Sequence, residues 1–307
     1  MGFAHSIIGN EVIGYWYKEL PNGCKLCMKG SKIVIFVTGV CGIDCYYCPI
    51  SRERRLFGAF YVDEEKVDNA TTILDEASIV RAEGASITGG EPMQRYDLVV
   101  NIIHLLKDAF GQKFHIHLYT SGFGATRNAI KYLDKIGLDE IRFHIVSESV
   151  WKLVEYSVKE TSMDVGIEIP VIPGEEDNVW ETILKANSIG VKFVNLNEME
   201  VSETNVERVL FRGFKIRENG RSVVGSAETA KNILIRAQQH GINTSIHFCT
   251  VQFKDFVQQR ARTIRKARTC MNVGDEVTED GMIIREGVEM EPRLSLCAPI
   301  IRKSLFA

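Results

Sequence analysis

The chain has 307 residues, 45% of them hydrophobic and 25% charged, with a formal net charge of −3. That length suits one large domain or two modest ones, an α/β barrel included, and that charge gives no overall electrostatic reason to expect nucleic acid as a partner. No apolar run approaches a membrane span and no signal peptide is apparent. Eight cysteines in such a chain argue for metal or catalysis rather than disulfides, so the cytoplasm is the expected compartment.

Taken in chain order, the first feature is Cys24-Lys25-Leu26-Cys27, a CxxC knuckle whose flanking Gly23 and Gly30 favour a tight turn. The β-rich run Ile33 to Thr38 follows. It leads directly into Cys41-Gly42-Ile43-Asp44-Cys45-Tyr46-Tyr47-Cys48. Three thiolates at this spacing can ligate three irons of a [4Fe–4S] cluster, which four cysteines usually hold, so one iron is left open for chemistry. Zinc is the alternative occupant.

Strand and helix patterns then alternate to Cys249, the signature of βα units. Expected strands end at Gly89-Gly90-Glu91-Pro92, at Ser121-Gly122, at Ser147-Glu148 and at Pro170; Val191 to Asn197 and Thr244 to Cys249 complete the set. Such polar, Gly and Pro endings are the chemistry of a functional barrel face. Strand residues two apart share a face. One face collects His115, His117, Tyr119, Arg142, His144, Glu168, Asn195, Asn197, His247 and Cys249. The other carries Phe114, Ile116, Leu118, Ile141, Phe143, Ile145, Ile167 and Ile169. A packed barrel would have an apolar lumen, so this pattern predicts a wide, open barrel holding a ligand.

Beyond the barrel, residues 252–269 read as a basic helix with Lys254, Arg260, Arg262, Arg265, Lys266 and Arg268 against Asp255. It is open to two readings, an RNA-binding face or a solvated face paired with local acids. Glu279-Asp280-Gly281 predicts a hairpin turn. The expected division is therefore an N-terminal segment 1–31 with the knuckle, a barrel 32–250 and a C-terminal extension 251–307. A second metal site is expected at Cys24, Cys27 and Cys249, with Cys270, Cys297 or His247 as fourth ligand. Either an auxiliary iron–sulfur cluster or zinc suits such thiolates.

The cysteine loop after the first strand and Gly-Gly-Glu after the second resemble the radical S-adenosylmethionine (radical SAM) superfamily. Within it, the chain is most similar to the pyruvate formate-lyase activating enzyme-like branch, particularly archaeal-type members. Tyr47 stands where that signature commonly has an aromatic residue. The resemblance implies a partial (β/α)6 TIM-like barrel. It also implies that Cys41, Cys45 and Cys48 ligate three irons while SAM chelates the fourth. Gly89, Gly90 and Glu91 would hold the methionyl amino group, Thr120 and Ser121 would touch ribose or carboxylate, and Ser147, Glu168 and Asn197 are further candidates. The local Tyr-Thr-Ser-Gly departs from the family, where Asn commonly replaces the Ser; Thr120 and Ser121 also suit a simple helix cap.

The implied reaction is one-electron reduction of SAM, fed by a donor such as a flavodoxin or ferredoxin, giving a 5′-deoxyadenosyl radical that abstracts hydrogen. The substrate is open: a glycyl-radical enzyme, an RNA, or a small molecule or peptide, with the last group favoured by the extra cysteines. A non-catalytic iron–sulfur electron carrier would explain the cysteines but not Gly89-Gly90-Glu91. A zinc-binding module would explain only Cys24 and Cys27.

Overall fold

The computed structural model describes residues 6–56 and 58–293. An N-terminal hairpin, β1 (Ile7–Asn10) and β2 (Gly14–Tyr17), precedes a short helix α1 (Asn22–Met28) that carries the CxxC knuckle. Then come β3 (Lys32–Phe36) and the small antiparallel pair β4 (Tyr61–Val62) and β5 (Glu65–Lys66). Regular βα units follow: α2 (Ala70–Val80), β6 (Gly84–Thr88), α3 (Tyr96–Phe110), β7 (His115–Thr120), α4 (Arg127–Lys135), β8 (Glu140–Phe143) and α5 (Glu148–Glu160). The series continues with β9 (Asp164–Val171), α6 (Glu176–Ile189), β10 (Phe193–Glu198), α7 (Val206–Phe211), α8 (Ser226–Gln239) and β11 (Ser245–Cys249).

Local chemistry explains the helices. Asn69 caps α2 by accepting from the Thr71 and Thr72 amides, and Thr126 caps α4 from the Ala129 amide. In α3, Val99, Ile102, Ile103 and Leu106 recur at helical spacing and are buried against the sheet.

The strands form one open sheet, ordered β1-β2-β11-β10-β9-β8-β7-β6-β3-β4-β5. Each neighbouring pair in the run from β3 to β11 is parallel. The polar and apolar faces read from the sequence are realised. Ile116, Leu118, Ile141, Phe143 and Ile167 are wholly buried in the main core. The opposite face turns inward and carries the histidines, Arg142, Glu168 and the asparagines. The architecture is the expected partial barrel, with Ser245–Cys249 adding one parallel strand to the six implied by the resemblance. Antiparallel β2 covers the β11 edge, and β4 covers the β3 edge.

Helix α1 lies under the lumen at the strands' N-terminal ends. The Gly23 amide donates to Glu140 Oε2 (3.4 Å), and a Cβ at Gly23 would stand 2.7 Å from His117 Nδ1 and 2.8 Å from Arg142 Nη2. Only glycine lets the helix come this close.

After β11 the basic segment begins with a π-helical turn (Phe253–Gln259) and continues as α9 (Arg260–Cys270). Five of its six cations face acids or carbonyls. Arg262 meets Asp63 and Glu64; Lys266 meets Glu65 and Glu76; Arg260 meets Glu279 and Asp280. Arg265 donates to the Val80 and Arg81 carbonyls, and Lys254 faces Glu200. Arg262 and Lys266 are buried in this clamp, while Arg268 is exposed. The expected hairpin forms as β12 (Glu276–Val277) and β13 (Ile283–Arg285), with β14 (Val288–Met290) as a third strand.

Candidate active site

At the C-terminal end of β3 the chain turns into the cysteine loop. Cys41, Cys45 and Cys48 line one hollow of about 380 Å³, with Gly39, Gly42 and Arg55 among its walls. Cys41 is exposed and the other two are half-buried. Burial raises the thiols of Cys41 and Cys45, so a metal has to displace their protons. Among the described residues, no three His, Cys, Asp or Glu side chains converge on one metal-ion position. Tetrahedral zinc needs its sulfurs roughly 3.8 Å apart, whereas a cubane places each thiolate on a separate iron. Three thiols lining one hollow are the donor set that a cluster with one open iron takes.

Several side chains hold this loop. Arg55 donates to the carbonyls of Ile50 and Cys48 (both 3.0 Å). Asn205 Nδ2 donates to the Tyr47 carbonyl (2.9 Å), and Thr204 Oγ1 to the Ile50 carbonyl (2.8 Å). Arg208 forks onto the Asp44 carboxylate at 2.7 and 3.0 Å. The Tyr47 hydroxyl lies 2.9 Å from His144 Nε2, while His144 Nδ1 is 3.0 Å from the Glu168 carbonyl. A carbonyl only accepts, so Nδ1 carries the proton and Tyr47 donates to Nε2. Burial lowers the His144 pKa, which agrees with this neutral tautomer. The expected aromatic before Cys48 thus acts through its hydroxyl, tying the loop to the end of β8.

The braces from Thr204, Asn205 and Arg208 were not legible in the sequence. They come from the β10–α8 connection, which folds a small apolar cluster of Met199, Val201, Val209 and Val223 beside Tyr46 and Tyr47. Its unusual length for a βα connection was the available signal.

Gly89 and Gly90 meet the cysteine loop itself. The Gly90 amide donates to the Thr38 carbonyl (2.7 Å) and the Glu91 amide to the Val40 carbonyl (2.8 Å). A Cβ at Gly89 would sit 2.6 Å from the Thr38 oxygen, and one at Gly90 would overlap the Val40 carbonyl. Among the described residues, neither glycine carbonyl receives a hydrogen bond.

Glu91 is fully buried and its oxygens are occupied. Oε1 accepts from Thr120 Oγ1 (2.8 Å) and the Met93 amide (3.0 Å); Oε2 accepts from the Ser121 amide (2.7 Å) and the Ser121 hydroxyl. Thr120 and Ser121, expected at the SAM ribose or carboxylate, both bond to Glu91.

Inside the barrel, Glu168 Oε2 accepts from Arg142 Nη1 (3.0 Å) and Asn195 Nδ2 (2.9 Å), and Oε1 accepts from Asn197 Nδ2 (2.7 Å). Glu168 and Asn197 line a hollow of about 190 Å³ with Tyr47, His144, Glu200 and Lys254. Ser147 stands apart, in an outer groove with Ile43, Ser121 and Phe123, and its hydroxyl meets Ser149 (2.8 Å).

Among the described residues, the expected second-site ligands do not converge on one metal-ion position, although Cys249 lies within electrostatic reach of Cys24 and Cys27. Cys24 Sγ accepts from Arg142 Nη2 and Asn195 Nδ2 (both 3.4 Å), and Cys27 lies beside Lys32. His247 Nδ1 is held by Asn195 Oδ1 (3.2 Å). Burial raises the Cys249 thiol, keeping it protonated in the lumen. Cys270 lies elsewhere, packed with Ala267 against Ile79 and Ile283. It is buried there because α9 seats its apolar stripe on α2. Cys297 falls outside the described residues.

Residues 35–147, which contain the whole cysteine loop and Gly89-Gly90-Glu91, match the model of the radical SAM superfamily. A protein of Methanocaldococcus jannaschii named "Putative glycyl-radical enzyme activating enzyme" is 33% identical over 280 residues, which is 88% of this chain and 73% of the relative. The chain belongs to the radical SAM superfamily. Among solved structures, Streptococcus suis SuiB bound to the precursor peptide SuiA aligns with a TM-score of 0.50 at 14% identity, over 72% of this chain and 48% of that one. The chain thus spans about half of that neighbour, and the likeness is one of fold. No helix among the described residues is long and apolar enough to cross a membrane.

Proposed function

We propose that this radical SAM protein holds a [4Fe–4S] cluster on Cys41, Cys45 and Cys48 and binds SAM across the mouth of the barrel. One observation carries the reading: three cysteines spaced for a cluster share a single hollow, and the free carbonyls of Gly89 and Gly90 lie on the loop bonded to it. When bound, the cluster supplies one electron to SAM, giving methionine and a 5′-deoxyadenosyl radical for hydrogen abstraction. The chain's own residues do the rest. Gly89 and Gly90 offer acceptors to the methionyl ammonium. Tyr47 and His144 fix the loop against β8, and Glu168 with Asn197 presents a polar wall to what lies above it. Glu91, Thr120 and Ser121 act one layer behind, keeping the glycine loop and the loop after β7 in register.

Anaerobic reconstitution with iron and sulfide tests this directly. Dithionite-reduced protein should release 5′-deoxyadenosine from SAM, and its EPR signal should shift when SAM is added. Cys45→Ala should abolish the cleavage; retained cleavage in a reconstituted Cys45→Ala protein would remove that residue from the ligand set.

The name of the 33% relative favours a second, finer reading, in which the hydrogen comes from a backbone glycine of a partner enzyme. The case for a small-molecule or peptide substrate rests on the extra cysteines. A second metal at Cys24, Cys27 and Cys249 has in its favour that all three thiols lie within electrostatic reach of one another. The cations of Arg142 and Lys32 beside them stand against it. Zinc and iron analysis of Cys24→Ser decides the point, with unchanged metal content ruling it out.

A further inference from the structure

The cysteine loop carries a hydrogen-bond donor close to one of its own sulfurs. Tyr47 stands between Cys45 and Cys48, and the Cys45 sulfur acts on its hydroxyl. That hydroxyl has one proton to offer. It offers it to His144 Nε2 at 2.9 Å, and the same nitrogen lies 4.0 Å from Cys45 Sγ. One phenolic proton therefore has two acceptors at hand, a sulfur and an imidazole nitrogen.

His144 is held so that the nitrogen takes it. Its amide donates to the Thr120 carbonyl (2.8 Å), and Nδ1 donates to the Glu168 carbonyl (3.0 Å). Nε2 is left with a lone pair facing Tyr47. The tyrosine is fixed as well. Asn205 holds its carbonyl (2.9 Å), and its ring meets those of Tyr46 and His144 edge to face. Elsewhere in the loop the Ile43 amide donates to the Cys41 sulfur. A donor is thus admitted at Cys41 and diverted at Cys45.

Hydrogen bonds to the thiolates of an iron–sulfur cluster favour its reduced, more negative form and raise its potential. Withholding one does the reverse. Resting on the radical SAM reading above, we infer that His144 is a positioning residue that draws the Tyr47 hydroxyl off Cys45 and so keeps the cluster strongly reducing. One-electron cleavage of SAM demands a strong reductant, which gives the arrangement its use.

The experiment measures the midpoint potential of the reconstituted full chain without SAM, by EPR at set potentials. His144→Phe keeps a ring and removes the acceptor, so the hydroxyl turns to Cys45. Its potential should rise by about 59 mV, which is about a tenfold change for one electron. Tyr47→Phe should keep the parent's potential, because the hydroxyl it loses does not rest on the sulfur. In the double variant, Tyr47→Phe with His144→Phe, the rise should vanish. His144→Gln, whose amide oxygen can replace Nε2 as acceptor, should restore most of the parent's value. An unchanged potential in His144→Phe overturns the inference. So does a rise that persists in the double variant, since a merely structural role would not need the hydroxyl. Tyr47→Phe decides the point if His144→Phe fails to hold iron: a lowered potential would show the hydroxyl already on Cys45 and overturn the inference, and an unchanged one supports it. A reduced parent without a SAM-sensitive cluster signal would instead overturn the radical SAM reading.

Discussion

At the residue scale, the glycines and the buried Glu91 decide how the cysteine loop sits. Gly90→Ala drives a methyl into the Val40 carbonyl, which is backbone and has little room to yield. It should cost about 1–3 kcal/mol, as overpacking does, and the reconstituted protein should retain less iron. Gly42→Ala is the control. Its added carbon meets the Phe123 ring at 2.5 Å, but that ring is 51% exposed and can swing away. Chemical denaturation with iron analysis ranks the two, and equal losses would contradict the packing argument. Thr120→Val removes one of the donors to a fully buried carboxylate, costing roughly 1.5–3 kcal/mol. Because Thr120 touches Glu91 and not the proposed ligand, SAM affinity should drop no more than the loop's stability explains. A large affinity loss at unchanged stability would return Thr120 to direct SAM contact.

At the scale of elements, two segments outside the regular βα units carry much of the site. The β10–α8 connection braces the cysteine loop, and α9 clamps the far edge of the sheet. The clamp is electrostatic: Glu76 is essentially buried and its nearest cation is Lys266 at 3.0 Å. Lys266→Met strands that carboxylate and should destabilise by about 3–5 kcal/mol, the usual consequence of halving a buried ion pair. Urea unfolding measures it, and a loss under about 1 kcal/mol, far below that range, would show that Glu76 is already neutral. That outcome has a physical basis, since burial pushes the Glu76 pKa upward against the pull of Lys266. The same kind of pairing draws Arg262 and Lys266 out of the basic run and into the protein.

At the scale of the whole molecule, the polar lumen makes stability depend on pH. Burial holds His247 down to about 4 and His117 well below its ordinary value. The unfolded chain therefore binds more protons than the folded one once pH drops below about 6.5. Stability that is complete above that pH is lost toward pH 4, by up to about 1.4 kcal/mol per unit for each group. Asp63 acts in the opposite sense. Burial raises it to about 7, so its contribution weakens as pH rises from roughly 4 to 7. The two histidines should prevail, giving a melting temperature that falls from about pH 6.5 to 4.5 and a shallower fall in His247→Gln. A melting temperature that climbs toward acid would place Asp63 in control.

Much of this architecture was written along the chain. Strand periodicity separated Ile116, Leu118 and Ile141 from His117, Tyr119 and Arg142, because a pleated strand sends alternate side chains to opposite faces whatever surrounds it. The cysteine spacing and Gly-Gly-Glu likewise pointed to a cluster and its companion loop, since both are local strings. Tertiary structure alone decided which partners those residues meet. It turned Thr120 and Ser121 onto Glu91, set Gly89 and Gly90 against the cysteine loop, and carried Cys270 away to the back of α2. It also brought Asn205 and Arg208 to a loop some 160 residues earlier. Hydrogen bonds and burial depend on distance in space, and a sequence fixes that distance only within the few residues that one turn or one strand can span.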